Sequence, residues 1–284
     1  MVNVSIIGLG LIGGSLGLAL RATPLDLHVG GWDRDAATIA AALERGVIER
    51  GFDTVAAAVA NAELVVVATP VLAVRAIFEQ IAPYLQPGTI VSDVASTKVD
   101  VLEWAEQLLP PSVAYVGGHP MAGSEQHGIG QARAGLLRGA IYCLTPLAGA
   151  PVEALATLEQ LTQAIGARPL RIEAATHDAY VAAVSHLPFL LSAALVEHVA
   201  NAERWTAMQQ IAATGFRDVT RLASGDPQMH RDICLTNAAM IGAELRGMAQ
   251  LLNELAEHLD DAVYLERFFA AAQAHRAAWL RDKT

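Results

Sequence analysis

The sequence predicts an α/β fold, in which an N-terminal doubly wound parallel sheet is followed by a C-terminal all-α domain. Short β-branched runs alternate with helical patterns through the first 172 residues, as in chains that cross a parallel sheet repeatedly. A glycine-rich turn follows the first of these runs. From about residue 174 the strand pattern stops and only helical periodicity continues. We therefore place two domains, at 1–172 and 173–284.

The predicted strands are short and apolar, and each leads into a turn or a helix. They lie at 2–8, 27–33, 63–69, 89–94, 114–118, 140–145 and 168–172. The run 63–69 is apolar without alternation, which is typical of a strand covered on both faces. Gly46 is placed to cap the second helix, and a Pro87-Gly88 turn follows the third. The predicted helices of this domain lie at 13–22, 35–45, 71–82, 97–108 and 152–165.

The C-terminal part carries more apolar surface than a monomer of this size needs. The segment 181–200 is apolar almost all round, which predicts a deeply buried helix or an interface helix. A second apolar seam repeats every three or four residues, at Ile241, Leu245, Met248, Leu252, Leu255 and Leu259. Asp260-Asp261 is placed to cap a last helix that contains Phe268, Phe269 and Trp279. We expect this all-α domain to form a homodimer.

The composition is that of a folded, acidic protein. Hydrophobic residues make up 53% of the chain, charged residues 17%, and the net charge is -10. This charge repels DNA, RNA and anionic lipid, which argues against nucleic-acid and membrane partners. Cys143 and Cys234 provide neither a disulfide framework nor metal-ligand spacing, so no metal is expected. The N-terminus lacks a basic region, and no apolar run reaches about 18 residues, so we expect a cytoplasmic protein.

The glycine-rich turn has the spacing of a dinucleotide-binding site. The first strand runs into Gly8-Leu9-Gly10-Leu11-Ile12-Gly13, and a helix follows. Gly8 permits the tight turn, Gly10 lets the backbone approach a pyrophosphate, and Gly13 allows the helix to pack on the strand. The helix start, at Leu11 and Ile12, then presents N–H groups to the phosphates. Residues 1–172 are therefore predicted to be a Rossmann-type dinucleotide-binding domain.

Asp33 favours NAD over NADP as the cofactor. It ends the second strand about 20 residues beyond Gly13, where a carboxylate accepts hydrogen bonds from the adenosine ribose. A 2′-phosphate at this place would meet the negative charge. The neighbouring Arg34 leaves NADP open, since an arginine there accommodates that phosphate. Thr69 and Pro70 end a later strand of the same sheet, where we expect the nucleotide or nicotinamide ribose.

His119 is the candidate catalytic base. Oxidation of an alcohol requires a group that takes the hydroxyl proton, and imidazole suits this because it titrates near neutrality. His119 follows strand 114–118 and lies in the glycine-rich loop 117–128, which places it at the carboxyl edge of the sheet. Ser96 follows the preceding strand and is placed to orient the imidazole or to share the substrate hydroxyl. Position alone gives a structural loop histidine equal weight.

Five longer stretches carry a resemblance to a known family. They are GLGLIGGSL (8–16), SDVASTK (92–98), GGHPMAGSEQHG (117–128), HDAYVAAVSHLP (177–188) and GFRDVTRLASGDPQMHRDI (215–233). Together they resemble the prephenate/arogenate dehydrogenase family of tyrosine biosynthesis. The resemblance implies a Rossmann-type domain with a helical dimerisation domain. It also implies NAD(P)-dependent oxidative decarboxylation of a cyclohexadienyl substrate.

The resemblance assigns roles to the matching side chains. His119 would accept the proton of the ring C4 hydroxyl, and Ser96 would hydrogen-bond that hydroxyl and the imidazole. Arg221 would bind a substrate carboxylate, which suits a guanidinium and a dianionic substrate entering an acidic protein. His186, in the S-H-L-P motif, would contribute to the substrate site.

A second group of charged residues is placed around Arg221. The resemblance suggests that Glu125 and Asp218 join Arg221 in an ionic gate over the pocket. If 216–222 is helical, Arg217 shares a face with Arg221 and Asp218 reaches Arg221. Arg217 and Asp218 are equally consistent with a solvated surface pair.

The helical part contains two histidines, His177 and His186, that are candidates for the substrate site. On a straight helix His177 and His186, nine residues apart, face opposite sides, so we select His186 for the substrate site. His177, beside an aspartate, is expected to cap or orient the helix start, and Pro188 is expected to kink the helix. At His230 many family members carry tryptophan, so His230 is either a substitute polar contact or a neutral surface change.

The sequence is compatible with three classes of protein: a prephenate or arogenate dehydrogenase, another dehydrogenase with a Rossmann and a helical domain, and a non-catalytic NAD-binding sensor. NAD-linked prephenate dehydrogenase is favoured over arogenate dehydrogenase, because Asp33 indicates NAD and arogenate enzymes often use NADP. Other dehydrogenases with a Rossmann and a helical domain rely on a lysine in the helical domain, whereas this chain has only Lys98 and Lys283. A non-catalytic NAD-binding sensor would not need His119, Ser96, His186 and Arg221 together.

Overall fold

The computed structural model describes residues 2–123 and 126–281. Its architecture is an α/β sheet of Rossmann type followed by helices, so the predicted fold class is confirmed. Contacts divide the chain into two compact units, the second of which begins at Ala239.

One sheet organises the first unit. The described strands are β1 Val2–Ile7, β2 Leu27–Trp32, β3 Arg50–Gly51, β4 Leu64–Val67, β5 Ile90–Asp93, β6 Ala114–Pro120, β7 Ile141–Pro146 and β8 Arg168–Arg171. Their order in the sheet is β3-β2-β1-β4-β5-β6-β7-β8, and all neighbours are parallel except β6 and β7. The strand order reverses between β1 and β4, and ligands of such sheets bind beyond the carboxyl ends of the strands at this point.

Helices cover both faces of the sheet and then form the C-terminal part. The described α-helices are α1 Leu11–Arg21, α2 Ala36–Glu44, α3 Val55–Val59, α4 Val71–Ile81, α5 Val99–Leu108, α6 Val152–Ala164, α7 Ala174–Val181, α8 Leu187–Ala200, α9 Trp205–Met208, α10 Thr214–Thr220, α11 Pro227–Thr236, α12 Ala238–Glu257 and α13 Ala262–Arg281. Short 3-10 turns lie at Ala82–Tyr84, Ile129–Gln131 and Arg221–Ser224.

Strand β4 shows why the sheet is apolar on both sides. Val65 and Val67 belong to one hydrophobic core, and Leu64 and Val66 belong to the core on the opposite face. Each of these side chains is almost fully buried. Burial of one such side chain stabilises the fold by about 1.5–3 kcal/mol. The absence of alternation in this run therefore follows from two cores that share one strand.

Several elements differ from the prediction. Strand β3 has two residues and α3 has five, and both are too short to produce a periodic pattern. Strand β6 extends to Pro120, so His119 lies in the strand and not in the loop after it. The predicted strand 140–145 is present as β7, but it runs antiparallel to β6, with His119 opposite Cys143. That partner strand holds the backbone of His119 in place.

The helical segment Ala174–Ala200 is longer than expected, at 27 residues with a mean hydropathy of 1.8. By length and composition alone it qualifies as a membrane span, as core helices of many proteins do. Its polar side chains His177, Asp178 and His186 are buried and hydrogen-bonded within the first unit. We therefore interpret it as a core helix of this fold.

The second unit consists of α12 and α13. The predicted seam lies on α12, except that Leu259 falls beyond its end at Glu257. Asp261 Oδ1 accepts from the N–H groups of Val263 and Tyr264, 3.0 Å from each, and so caps α13 as expected. Large apolar side chains of these helices are exposed in the single chain, among them Leu245, Leu251, Leu252, Val263, Phe269 and Trp279.

Candidate active site

The glycine-rich loop has the backbone geometry that its spacing predicts. Gly8 has φ +98°, and a Cβ there would lie 2.6 Å from the carbonyl oxygen of Ala68. A Cβ at Gly13 would overlap the carbonyl oxygen of Gly8, whereas a Cβ at Gly10 would meet no atom within 4 Å. The open side at Gly10 fits the close approach of a pyrophosphate. No side chain caps the start of α1, so its first N–H groups suit an anion.

Asp33 ties the end of β2 to the glycine-rich loop. Its Oδ2 accepts from the N–H of Leu9 at 2.8 Å, and its Oδ1 accepts from the N–H of Asp35 at 3.0 Å. Each carboxylate oxygen has a second lone pair for a ribose hydroxyl. The neighbouring Arg34 is exposed. Asp33 therefore positions the glycine-rich loop, and its contact with the cofactor ribose stays a prediction.

The end of β4 completes the cofactor edge. Pro70 immediately precedes α4, whose start has no side-chain cap, and the hydroxyl of Thr69 is buried with no hydrogen-bond partner among the described residues. A buried hydroxyl without a partner is costly unless a ligand satisfies it. The contact of Thr69 and Pro70 with a nucleotide ribose stays a prediction, which the buried hydroxyl of Thr69 supports. Among the described residues no group of three or more potential ligands could hold a metal ion.

His119 is buried near the end of β6, with 8% of its surface exposed. Its Nδ1 lies 2.8 Å from Nε2 of His177. Burial lowers the pKa of His119 well below its ordinary value, and the charges of His177, Lys98 and His186 act in the same direction. The imidazole is therefore neutral near pH 7 and is able to accept a proton.

The loop that carries Ser96 is fixed beside His119 by a buried ion pair. Lys98 is fully buried and pairs with Asp93, and its Nζ donates to the carbonyl oxygen of Gly118 at 2.7 Å. Burial lowers the pKa of Lys98, and Asp93 opposes this effect. Asp93 also accepts from the N–H groups of Ala95 (2.8 Å) and Gly118 (3.1 Å). These bonds connect the loop after β5 to the residue that precedes His119.

His177 is not a helix cap, so that prediction is wrong. Glu173 caps α7 by accepting from the N–H groups of Ala175 and Thr176. The ring of His177 is buried, with Nδ1 2.8 Å from Oδ1 of Asp178 and Nε2 toward His119. The straight-helix argument failed because a π-helical turn, Ala182–His186, separates α7 from α8. A turn of this type widens the helix and changes which side later residues face.

His186 lies at the end of the π-helical turn, just before Pro188. Its Nδ1 is 3.3 Å from Nδ2 of Asn237, and its Nε2 is buried without a partner among the described residues. Burial lowers the pKa of His186 to about 4. The ring packs against Phe189 at 5.9 Å between centroids, and His230 stacks on Phe189 at 4.1 Å. His230 is therefore a packed ring beside the predicted substrate residues.

The predicted ionic gate consists of Arg221 and the charged residues expected around it. Arg221 opens the 3-10 turn after α10, and the N–H of Ala223 in that turn donates to Oγ of Ser192 on α8. Arg217 and Asp218 form an exposed ion pair with 3.4 Å between Nε and Oδ1. Glu125 lies outside the described residues. The role of these residues as a gate stays a prediction.

Both halves of the chain match one family. Residues 16–170 match the nucleotide-binding domain of prephenate dehydrogenase, and residues 173–271 match its dimerization domain. A prephenate dehydrogenase of Bacillus subtilis (strain 168) is 34% identical over 278 residues, covering 96% of this chain and 75% of that protein. The chain belongs to the prephenate dehydrogenase family. The predicted family is thereby confirmed.

Two solved structures of related dehydrogenases share the fold along nearly the whole length. Prephenate dehydrogenase from A. aeolicus, in complex with hydroxyphenyl propionate and NAD+, is 28% identical with a TM-score of 0.91 and 98% coverage of each chain. Synechocystis arogenate dehydrogenase is 30% identical with a TM-score of 0.83, covering 98% of this chain and 99% of that chain. Relatives of both substrate types are thus similar to this prephenate dehydrogenase family member.

Sequence reasoning missed three residues of the candidate site. His177, Asp178 and Asn237 form hydrogen bonds that connect His119 to His186. The first two stand next to each other at the start of the HDAYVAAVSHLP stretch, and this doublet was the available signal. Asn237 lies outside every stretch that resembles the family, so nothing in the sequence marked it.

Proposed function

We propose that this protein is an NAD-dependent prephenate dehydrogenase, which converts prephenate to 4-hydroxyphenylpyruvate with loss of CO₂ in tyrosine biosynthesis. The observation that carries the proposal is a buried, neutral imidazole at His119 near the carboxyl edge of the sheet. It lies on the strand after β5, beside the loop of Ser96. A base at this place is what oxidation of a substrate hydroxyl requires.

The cofactor residues fit NAD. Gly8, Gly10 and Gly13, with the start of α1 at Leu11 and Ile12, would hold the pyrophosphate, and Asp33 would bind the adenosine ribose. Thr69 and Pro70 would line the ribose nearer the reacting ring, and the exposed Arg34 would lie beside the adenosine. When bound, NAD supplies the two-electron acceptor for oxidation at C4 of the substrate.

The side chains of the chain then hold the substrate and move one proton. His119 Nε2 accepts the proton of the C4 hydroxyl, and Ser96 hydrogen-bonds that hydroxyl. Loss of the ring carboxylate as CO₂ makes the ring aromatic, so the protein must mainly position the substrate and exclude water. Arg221 binds a carboxylate of the dianionic substrate, with Arg217, Asp218 and Glu125 placed around it.

His186 favours prephenate over arogenate as the substrate. Nδ2 of Asn237 donates to the carbonyl oxygen of Asp178 at 2.8 Å, which fixes the orientation of its amide. The second hydrogen of Nδ2 points to Nδ1 of His186, so the proton of the neutral ring is on Nε2. An N–H donor suits the keto or carboxylate oxygens of prephenate. The ammonium group of arogenate is itself a donor and gains nothing from it.

Arogenate dehydrogenase is the second candidate, because the Synechocystis arogenate dehydrogenase is 30% identical across nearly the whole chain. We further propose that the protein acts as a cytoplasmic homodimer. Exposed apolar side chains on α12 and α13 support the dimer, and these helices lie largely in the part that matches the dimerization domain. We propose no nucleic-acid or membrane partner.

Steady-state kinetics with prephenate and arogenate, each with NAD and NADP, tests the proposal. We expect the highest kcat/KM for prephenate with NAD, since Asp33 repels a 2′-phosphate and His186 presents a donor. A higher kcat/KM for arogenate would overturn the assignment of the substrate, and one for NADP would overturn that of the cofactor. Absence of turnover with both substrates would leave a non-catalytic NAD-binding protein.

A further inference from the structure

Three buried side chains from two distant segments form a continuous hydrogen-bonded line. His119 comes from β6, and His177 and Asp178 come from α7. The two links are both 2.8 Å, from Nδ1 of His119 to Nε2 of His177 and from Nδ1 of His177 to Oδ1 of Asp178. The imidazole rings meet edge to face, with 5.1 Å between centroids. All three side chains are at most 8% exposed.

The carboxylate of Asp178, at one end of the line, determines which ring nitrogen of each histidine carries the hydrogen. Asp178 is surrounded by donors, since the N–H groups of Lys98 and Val99 donate to its two oxygens at 2.8 and 2.9 Å. An ionised carboxylate only accepts, so Nδ1 of His177 carries the hydrogen. With its one ring hydrogen on Nδ1, His177 accepts through Nε2, and Nδ1 of His119 is the donor. The lone pair of His119 is therefore on Nε2, the nitrogen that faces no protein partner in this line.

The same carboxylate fixes the position of the line. By accepting from Lys98 and Val99, Asp178 caps α5 from a helix that lies about 80 residues further along the chain. Nδ2 of Asn237, at the end of α11, donates to the backbone carbonyl oxygen of Asp178. The orientation of His177 is thus coupled to the loop of Ser96 and to His186.

We infer that His177, oriented by Asp178, is a positioning residue for His119, which holds the lone pair of His119 on Nε2 and shares the positive charge that forms there. The inference rests on the proposed role of His119 as the base. A proton gained at Nε2 is disfavoured by burial, and positive charge on His177, Lys98 or His186 acts in the same direction, although Asp93 pairs with Lys98. Through His177, the carboxylate of Asp178 stabilises the imidazolium. A buried carboxylate plays the corresponding part behind the histidine of serine hydrolases.

Two substitutions separate the parts of this role. His177→Leu removes the acceptor, so the lone pair of His119 is no longer held on Nε2. His177→Gln retains an acceptor oxygen but breaks the link to Asp178. His198→Gln is the matched control, because His198 is exposed on the same long helix. The test compares the kcat of each protein, with its dependence on pH, and the KM for prephenate. It also compares the NAD affinity, the melting temperature and the ¹⁵N NMR shifts of the histidine nitrogens.

We expect kcat to fall about 10- to 100-fold in His177→Leu and less in His177→Gln, with KM and NAD affinity nearly unchanged. The NMR spectrum should show hydrogen on Nδ1 of His119 in the wild-type protein and in His177→Gln, but a mixture in His177→Leu. An unchanged tautomer and kcat in His177→Leu would overturn the inference, as would equal losses of kcat, NAD affinity and melting temperature. If the wild-type protein turns over neither prephenate nor arogenate, the proposed function fails, while the tautomers still decide the positioning role.

Discussion

The two halves of the candidate site are built in different ways. The cofactor half is mostly local, since the glycine-rich loop, the start of α1 and Asp33 lie within the first 33 residues, and only Thr69 and Pro70 come from further along the chain. The reacting half is made of side chains from β6, α7, the π-helical turn and the end of α11, between His119 and Asn237. The first half is a local motif and the second exists only after folding.

This difference predicts that the two halves fail separately. A substitution in the reacting half removes a proton acceptor or a charge and leaves the glycine-rich loop intact. NAD affinity should therefore stay constant while kcat or KM changes. Measurements that separate NAD affinity from turnover are the direct way to test the comparison.

The largest effect is expected from His119→Asn. An amide cannot accept the hydroxyl proton, so we predict that kcat falls by roughly 10²–10⁴-fold with normal NAD affinity. Stopped-flow or steady-state absorbance of the reduced cofactor, with NAD titrated by intrinsic fluorescence, gives both values. His198→Asn serves as the exposed control. Near-normal turnover would remove His119 from the mechanism, and a loss of NAD binding would show that the two halves are not independent.

A smaller effect, on KM, is expected from Arg221→Ala. Loss of a charged contact to a substrate carboxylate costs about 2–4 kcal/mol, or roughly 30- to 1000-fold in KM for prephenate. Arg217→Ala is the comparison. The ion pair of Arg217 with Asp218 is exposed, so its interaction energy is about 1 kcal/mol or less, and we expect a smaller change in KM than for Arg221→Ala. Steady-state KM values for both variants decide the point. Equal KM values for wild type and Arg221→Ala would show that Arg221 does not bind the carboxylate.

The same division explains what the sequence predicted. The strands and the glycine-rich loop were predictable because apolar runs and glycine spacing reflect local backbone requirements, as at Gly8 and Gly13. Strand β3 was not predictable, because two residues are too few to show a periodic pattern. The prediction for His177 is wrong because it rests on a straight helix, whereas a π-helical turn at Ala182–His186, shortly before Pro188, separates α7 from α8.

The smallest expected effect concerns stability against acid and applies only to the reacting half. Burial lowers the pKa of His186 to about 4 from an ordinary value of 6.5, with His177 and His230 acting in the same direction and Asp178 against it. The unfolded chain therefore binds more protons than the folded chain between these values. The contribution of His186 to the free energy of unfolding is fully present above pH 6.5 and is lost as the pH falls toward 4.

Between pH 6.5 and pH 5, protonation of His186 in the unfolded chain should remove about 1–2 kcal/mol from the free energy of unfolding. His186→Asn has no such group, so its stability should fall less over this interval, whereas His198→Asn should behave as the wild type. Urea unfolding at fixed protein concentration measures the three proteins. His119 titrates in all of them, and the charge of His186 is the smallest of the causes that lower its pKa, so the difference between the proteins is due mainly to His186. Parallel pH dependences in wild type and His186→Asn would mean that His186 is solvated in the folded protein, and its assignment as a buried donor to prephenate would then fail.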